Sequence, residues 1–187
     1  PSGSGKTTLL NLIGGLDTPT SGKVFVDGQE VSAMSRTERS DLRRGRIGFI
    51  FQSYNLVPVL TAQENTEFVL MLQGMPAAER ATIARKTLAD VGLAGMEDRR
   101  PGELSGGQQQ RVAVARAIAS QPAIVLADEP TANLDSETKA DLIALMRGLN
   151  EDRGVTFLFS THDADVIGAA RRVISVRDGR VAGDEQR

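Results

Sequence analysis

At 187 residues, with 40% hydrophobic and 25% charged content, the chain has the composition of one ordinary globular domain, with or without an inserted subdomain, and not that of a disordered segment. A net charge of −2 and a pI near 5.5 argue against a broad nucleic-acid-binding face, with Arg43, Arg44 and Arg46 read as a solvated helix end. The absence of cysteine removes disulfides, thiolate metal sites and cysteine nucleophiles together, and no apolar run approaches the ~18 residues needed to span a bilayer.

The opening stretch PSGSGKTT matches the phosphate-binding pattern of a Gly, four residues and then Gly-Lys-Ser/Thr, without its leading Gly. Pro1, Ser2, Gly3 and Ser4 fill the four positions, and Gly5, Lys6, Thr7 and Thr8 follow. Glycine lets successive backbone N–H groups turn inward around phosphate oxygens. Lys6 adds a point charge, Thr7 offers a hydroxyl to Mg²⁺, and the helix that follows directs its positive end at the same phosphates. A loop of this kind is entered from a strand, for which there is no room before Pro1, so the sequence reads as a fragment of a longer domain lacking its N-terminal strands.

The first helix is expected over 6–16, ended by Gly14-Gly15. GKVFVDGQEV alternates like a strand that turns at Asp27-Gly28. A charged helix over about 36–44 precedes the buried strand RIGFIF, which closes at Gln52. Thr61 with Glu64 has capping-box spacing, so a helix should run from there to about Gln73. Pro76 suits the first position of the next helix, which Gly92 closes, and Ser105 with Gln108 repeats the capping-box spacing before RVAVARAIA. Apolar runs at 123–127, 155–160 and 172–177, with a helix over about 137–149 between the first two, imply a parallel α/β sheet. The helical stretch 53–120 interrupts the strands and reads as an inserted subdomain.

Ligands of open α/β sheets gather at the carboxyl ends of strands, where AIVLADEP places Asp128 and Glu129. Asp128 can hold Mg²⁺, through water because magnesium dehydrates reluctantly, and Glu129 is free to polarise a water against a γ-phosphate. His162, the one histidine, follows VTFLFS and should reach the same edge of the sheet, as should Gln52. LSGGQQQR opens a helix with Ser105, Gly106 and Gly107, whose bare N–H groups make a second anion site, one expected to serve a second chain.

With a P-loop, Gln52, LSGGQQQR, LADEP, NLD and STHD in that order, the chain resembles the ATPase domain of ATP-binding-cassette (ABC) transporters over essentially its whole length. The resemblance implies a single α/β domain with a P-loop core, an antiparallel β portion and a helical lobe, with ATP and Mg²⁺ as cofactors. It implies that Gln52 touches Mg²⁺ or the attacking water, and that Ser105, Gly106, Gly107 and Gln108 contact ATP held by the opposite subunit of a head-to-tail dimer. Asp135 would lie at the dimer seam, and His162 on the γ-phosphate. GGLDTPTSGKV, IGFIFQSYNLVPVLTAQEN and LADEPTANLDS are similar to the subfamily of lipoprotein release and macrolide efflux, although Ala132 stands where that subfamily often has Gly. The implied partners are a second ATPase subunit and transmembrane permease subunits at the cytoplasmic face of the membrane, with no nucleic acid. The permease groove is expected near Tyr54, Leu56, Val57 and Leu60. Two alternatives are a soluble regulatory or DNA-associated ABC ATPase, against which the lack of sustained heptads between residues 8 and 104 speaks, and a cassette that binds ATP without turnover, against which intact Glu129 and His162 speak.

Overall fold

The computed structural model describes residues 4–187. Its centre is a three-stranded parallel sheet in the order β3 (Ile47–Ile50), β4 (Ile124–Asp128), β5 (Phe157–Ser160). Period-2 alternation sends neighbouring side chains of each strand to opposite faces. On β4, Val125 and Ala127 join one apolar cluster and Leu126 the other. The first cluster also takes Ile50, Leu88, Val112, Leu142 and Met146; the second takes Leu10, Val26, Val31, Leu42 and Ile47. The sheet is therefore covered on both faces, which is why its strands read as continuous apolar runs.

Helices α1 (Lys6–Ile13) and α2 (Arg36–Arg46) and the short hairpin β1 (Phe25–Val26) and β2 (Gln29–Glu30) supply the second cluster. The hairpin turns at Asp27 and Gly28, both left-handed (φ 49° and 74°), the pairing that a two-residue turn of this kind requires. Helices α3 (Ala62–Leu72), α4 (Ala77–Asp90), α5 (Gly106–Ile118) and α6 (Ser136–Arg153) lie on the other side. α3 and α4 pack on one another and on α5, and α5 also lies along β3. The capping boxes at Thr61/Glu64 and Ser105/Gln108 form as expected, and a third forms at Ser35/Glu38.

α5 meets β3 closely enough that position 48 accepts only glycine: a Cβ there would lie 2.3 Å from the carbonyl oxygen of Ala117. The obstacle is backbone, so either the helix or the strand must move. Gly48→Ala is expected to destabilise the domain by about 3 kcal/mol, the upper range of overpacking costs. Chemical denaturation of the two proteins checks this; equal midpoints would mean that the helix moves away at no cost.

Several boundaries differ from the sequence expectation. α1 ends at Ile13, because Gly14 sits against the ring of Phe49 and Gly15 turns left-handed (φ 62°). Pro76 is the N-cap of α4 rather than its first residue. α6 continues past Leu149 to Arg153, where Gly154 (φ 67°) ends it; its polar last turn carries no apolar stripe to read. β6 (Arg172–Arg177) does not join the parallel sheet but pairs antiparallel with β7 (Arg180–Gln186), a strand unforeseen because every residue in it is exposed and its polarity does not alternate. A short helix, α7 (Ala164–Ala169), was likewise not foreseen. The basic end of α2 is held by neighbours: Arg43 donates to the Gly15 carbonyl, Arg44 pairs with Asp41 and Arg46 with Asp27.

Candidate active site

The parallel register sets Asp128 beside Ser160, so the residues that follow β4 and β5 emerge side by side. Glu129 is the first of them. Its backbone N–H donates to the Ser160 carbonyl (2.9 Å), and its φ of 44° is left-handed, a conformation non-glycine residues adopt only when their surroundings impose it. The carboxylate is held at both oxygens: Oε2 accepts from the Thr161 hydroxyl at 3.0 Å, and Oε1 lies 2.7 Å from His162 Nδ1. The Glu129 side chain is 19% exposed and the His162 ring 75%, so the carboxylate is sheltered while the imidazole reaches into solvent.

Asp128 faces the start of α1, where the Thr7 hydroxyl donates to its Oδ2 at 3.5 Å. Gly5 is the N-cap of α1 with φ 95°, no side chain among the described residues caps the helix, and its first turn holds no acidic residue. The N–H groups and positive dipole end are thus directed outward beside Asp128. The Lys6 ammonium donates to Ser4 Oγ at 3.3 Å, Ser4 itself is buried, and its carbonyl accepts from Gly179 in the β6–β7 turn. Thr8 is exposed at the same end. Pro1, Ser2 and Gly3, also expected to touch phosphate, lie outside the described residues.

Gln52 is exposed just beyond β3, and its carbonyl accepts from Asn133 Nδ2 at 3.0 Å, tying the loop after β3 to the one after β4. The next residues are constrained as well. Tyr54 and Asn55 are both left-handed (φ 61° and 50°), and the Arg116 guanidinium of α5 donates to both of their carbonyls. Burial of that guanidinium pushes its pKa down. Fully buried Asn65 closes the loop, accepting from Val57 N–H and donating to the carbonyls of Val57, Leu60 and Thr61.

Ser105 caps α5 by accepting from Gln108 N–H, while the Gln108 side chain accepts from Ser105 N–H. Gly106 and Gly107 therefore open the helix with bare N–H groups. A Cβ on Gly107 would meet Thr138 Cγ2 at 2.3 Å, which shows how closely the start of α5 meets the first turn of α6. Asp135 caps α6 by accepting from the N–H groups of Glu137 and Thr138; the Thr138 N–H, then its hydroxyl, hold the Asp135 carboxyl below the usual range.

The structure thus brings Thr7, Asp128, Glu129 and His162 to one edge of the sheet, with Lys6 at the start of α1 beside it. At the α5–α6 junction Gly107 lies against Thr138, whose hydroxyl donates to Asp135. The residues that sequence reasoning missed are Thr161, Thr131, Asp163, Lys139 and Asn133. STHD places Thr161 beside His162, but nothing local to that motif tells which residue its hydroxyl would reach.

Residues 1–132 match the family description "ABC transporter". The chain belongs to that family. It is an ATP-binding ATPase domain of the ABC type, with the mixed parallel and antiparallel architecture expected of one. An ABC transporter ATP-binding protein of Thermotoga maritima is 49% identical over 187 residues, all of this chain and 80% of that protein. The macrolide export ATP-binding/permease protein MacB of Brucella melitensis is 48% identical over 183 residues; the chain spans only 28% of its length. Among solved structures, the dimeric ATP-binding cassette MJ0796 of Methanocaldococcus jannaschii, bound to ADP and Pi in a post-hydrolysis state, superimposes with a TM-score of 0.89 at 44% identity, covering 100% of this chain and 82% of that one. These likenesses favour the transporter reading of the cassette over the soluble regulatory one. Among the described residues no helix is long and apolar enough to cross a membrane.

Proposed function

We propose that this ABC ATPase hydrolyses Mg-ATP in a site shared between two cassettes and drives a permease of the macrolide-export or lipoprotein-release type from the cytoplasmic face of the membrane. The observation that carries the reading is Glu129: a sheltered carboxylate held at both oxygens, next in the chain to Asp128, which itself faces the start of α1. Backbone N–H groups and Lys6 at that helix end bind phosphate oxygens, the role the P-loop pattern implies for Pro1 to Thr8.

Thr7 and Asp128 are the groups that would hold Mg²⁺, with Gln52, which follows β3 beside β4 in the sheet, as a further ligand. Two hard oxygen donors 3.5 Å apart suit an ion that fills its remaining positions with phosphate and water, and among the described residues no cluster of three or more His, Asp or Glu offers an all-protein site. The metal neutralises charge on the phosphates when bound. Glu129 takes the proton of the attacking water. Thr161 keeps its Oε2 in place while Oε1 exchanges His162 for that water, and the exposed ring of His162 is then available to the γ-phosphate. Ser105–Gln108 serve the partner's nucleotide, Asp135 lies at the seam, and the helical stretch 53–120 acts as a lobe around α3 and α4.

A shared site makes specific activity depend on protein concentration. The Mg-ATPase rate per molecule of full-length protein should rise through the dimerisation range; a flat specific activity over a hundredfold dilution, with only monomer in sedimentation, would overturn the two-chain site.

Within the stretch 53–68 expected to meet the permease, Leu56 packs against the main core, whereas Val59 is 71% exposed and Phe68 is exposed on α3. Val59→Glu and Phe68→Glu should abolish stimulation of ATPase by the permease and leave basal hydrolysis within twofold. Parallel loss of both would instead mark these residues as part of the fold.

A further inference from the structure

Lys139 stands on the first full turn of α6, outside every motif of the cassette, and its ammonium is enclosed by two carboxylates: Asp163 Oδ2 at 3.2 Å and Asp165 Oδ2 at 2.5 Å. Asp163 is itself a hub. Its Oδ2 accepts from the hydroxyl of Thr131 at 3.0 Å, and Thr131 is buried at 3% exposure in the loop that follows Glu129. Its Oδ1 accepts from Asp165 N–H, and its own N–H donates to Thr161 Oγ1 at 3.0 Å. The Thr161 hydroxyl, having accepted that bond, has one proton to give and gives it to Glu129 Oε2 at 3.0 Å. A continuous path of polar contacts thus runs from Lys139 through Asp163 and Thr161 to Glu129. Only the last member touches the place where a water would be activated.

Each contact removes a freedom that hydrolysis cannot tolerate. Thr161 can hold Glu129 in one rotamer only if its own hydroxyl is oriented, and the Asp163 N–H does the orienting. That N–H is fixed because the Asp163 side chain is clamped between α6 and the loop after β4. The ammonium supplies the clamp that neutral donors cannot. Without it, Asp163 and Asp165, one on each side of the cation, place like charges together at the start of α7.

Resting on the reading of Glu129 as the base, we propose that Lys139 is a positioning residue for ATP hydrolysis, acting through Asp163 and the Thr161 hydroxyl to hold the Glu129 carboxylate in its reactive orientation. Nucleotide affinity is set elsewhere, at the start of α1, so the effect belongs to turnover and not to binding. A misplacement well under an ångström is enough for an effect of this kind, since geometry errors of 1 Å can cost ~100-fold.

The test compares full-length wild type, Lys139→Met, Lys139→Arg, Thr161→Val and Glu129→Gln in steady-state Mg-ATP hydrolysis, with thermal unfolding of each. Lys139→Met is expected to lower kcat about tenfold with KM for ATP within twofold, Thr161→Val to do the same, and Lys139→Arg, which keeps the cation, to recover at least half of the wild-type kcat. If Glu129→Gln is inactive while Lys139→Met and Thr161→Val turn over like wild type, the positioning role is wrong and the reading of Glu129 stands. If Glu129→Gln retains wild-type turnover, the assignment of the base itself has failed. Should Lys139→Met unfold at room temperature, Lys139→Gln decides in its place: it keeps a donor and most of the stem but removes the charge, and a wild-type kcat in that folded variant would overturn the role of Lys139 while Thr161→Val reports separately on the contact to Glu129.

Discussion

Full-length protein carrying Glu129→Gln is expected to bind ATP with wild-type affinity and to hydrolyse it at least ~100-fold more slowly, since a positioned base contributes 10²–10⁴ in rate. Glutamine has the shape of glutamate and can still accept from the Thr161 hydroxyl through its carbonyl oxygen. It cannot take a proton from water at neutral pH. The loss, about 2.7 kcal/mol or more in the barrier, should appear in kcat alone. Single-turnover hydrolysis with labelled ATP measures it without interference from product release, and wild-type turnover would remove Glu129 from the chemistry.

Lys6→Met should act on the other half of the site. The half-buried Lys6 stem packs at the start of α1, and methionine preserves much of that apolar length while deleting the charge. In a site that works by preorganised electrostatics, loss of one such donor costs roughly 10²–10³ in rate. Because phosphate binding in the ground state uses the same cation, affinity should also fall, by at least about tenfold. Equilibrium binding of a fluorescent ATP analogue separates the two effects. Unchanged affinity and rate would mean that the N–H groups of α1 hold the phosphates without the ammonium.

Much of this could be read from the chain before any coordinates. Thr61 with Glu64 and Ser105 with Gln108 announced their helices because a cap is a local exchange of hydrogen bonds between residues three apart. Asp128, Glu129 and His162 could be assigned to one edge because each ends or follows an apolar run, and parallel strands deliver their carboxyl ends to the same side. The brace around them could not be assigned. Thr161 meets Glu129 because β4 and β5 pair with Asp128 opposite Ser160, and Lys139 meets Asp163 because the first turn of α6 lies against the start of α7; neither register nor packing is written in a window of sequence. The same holds for Arg116, which looks like an ordinary polar position on an apolar helix and instead holds two left-handed carbonyls 61 and 62 residues away. β7 failed for the opposite reason: it forms through backbone pairing to β6, with no buried face to mark it.

The two-chain site is the central claim, and sedimentation velocity of the full-length Glu129→Gln protein tests it most directly. Without nucleotide it should run as a monomer. Saturating Mg-ATP, which this variant binds without consuming, should convert it to a dimer, and adding Ser105→Tyr, which places a bulky ring at the second anion site, should prevent the conversion while leaving ATP binding intact. A protein that stays monomeric with ATP bound at every concentration would contradict a site completed by the partner's Ser105–Gln108.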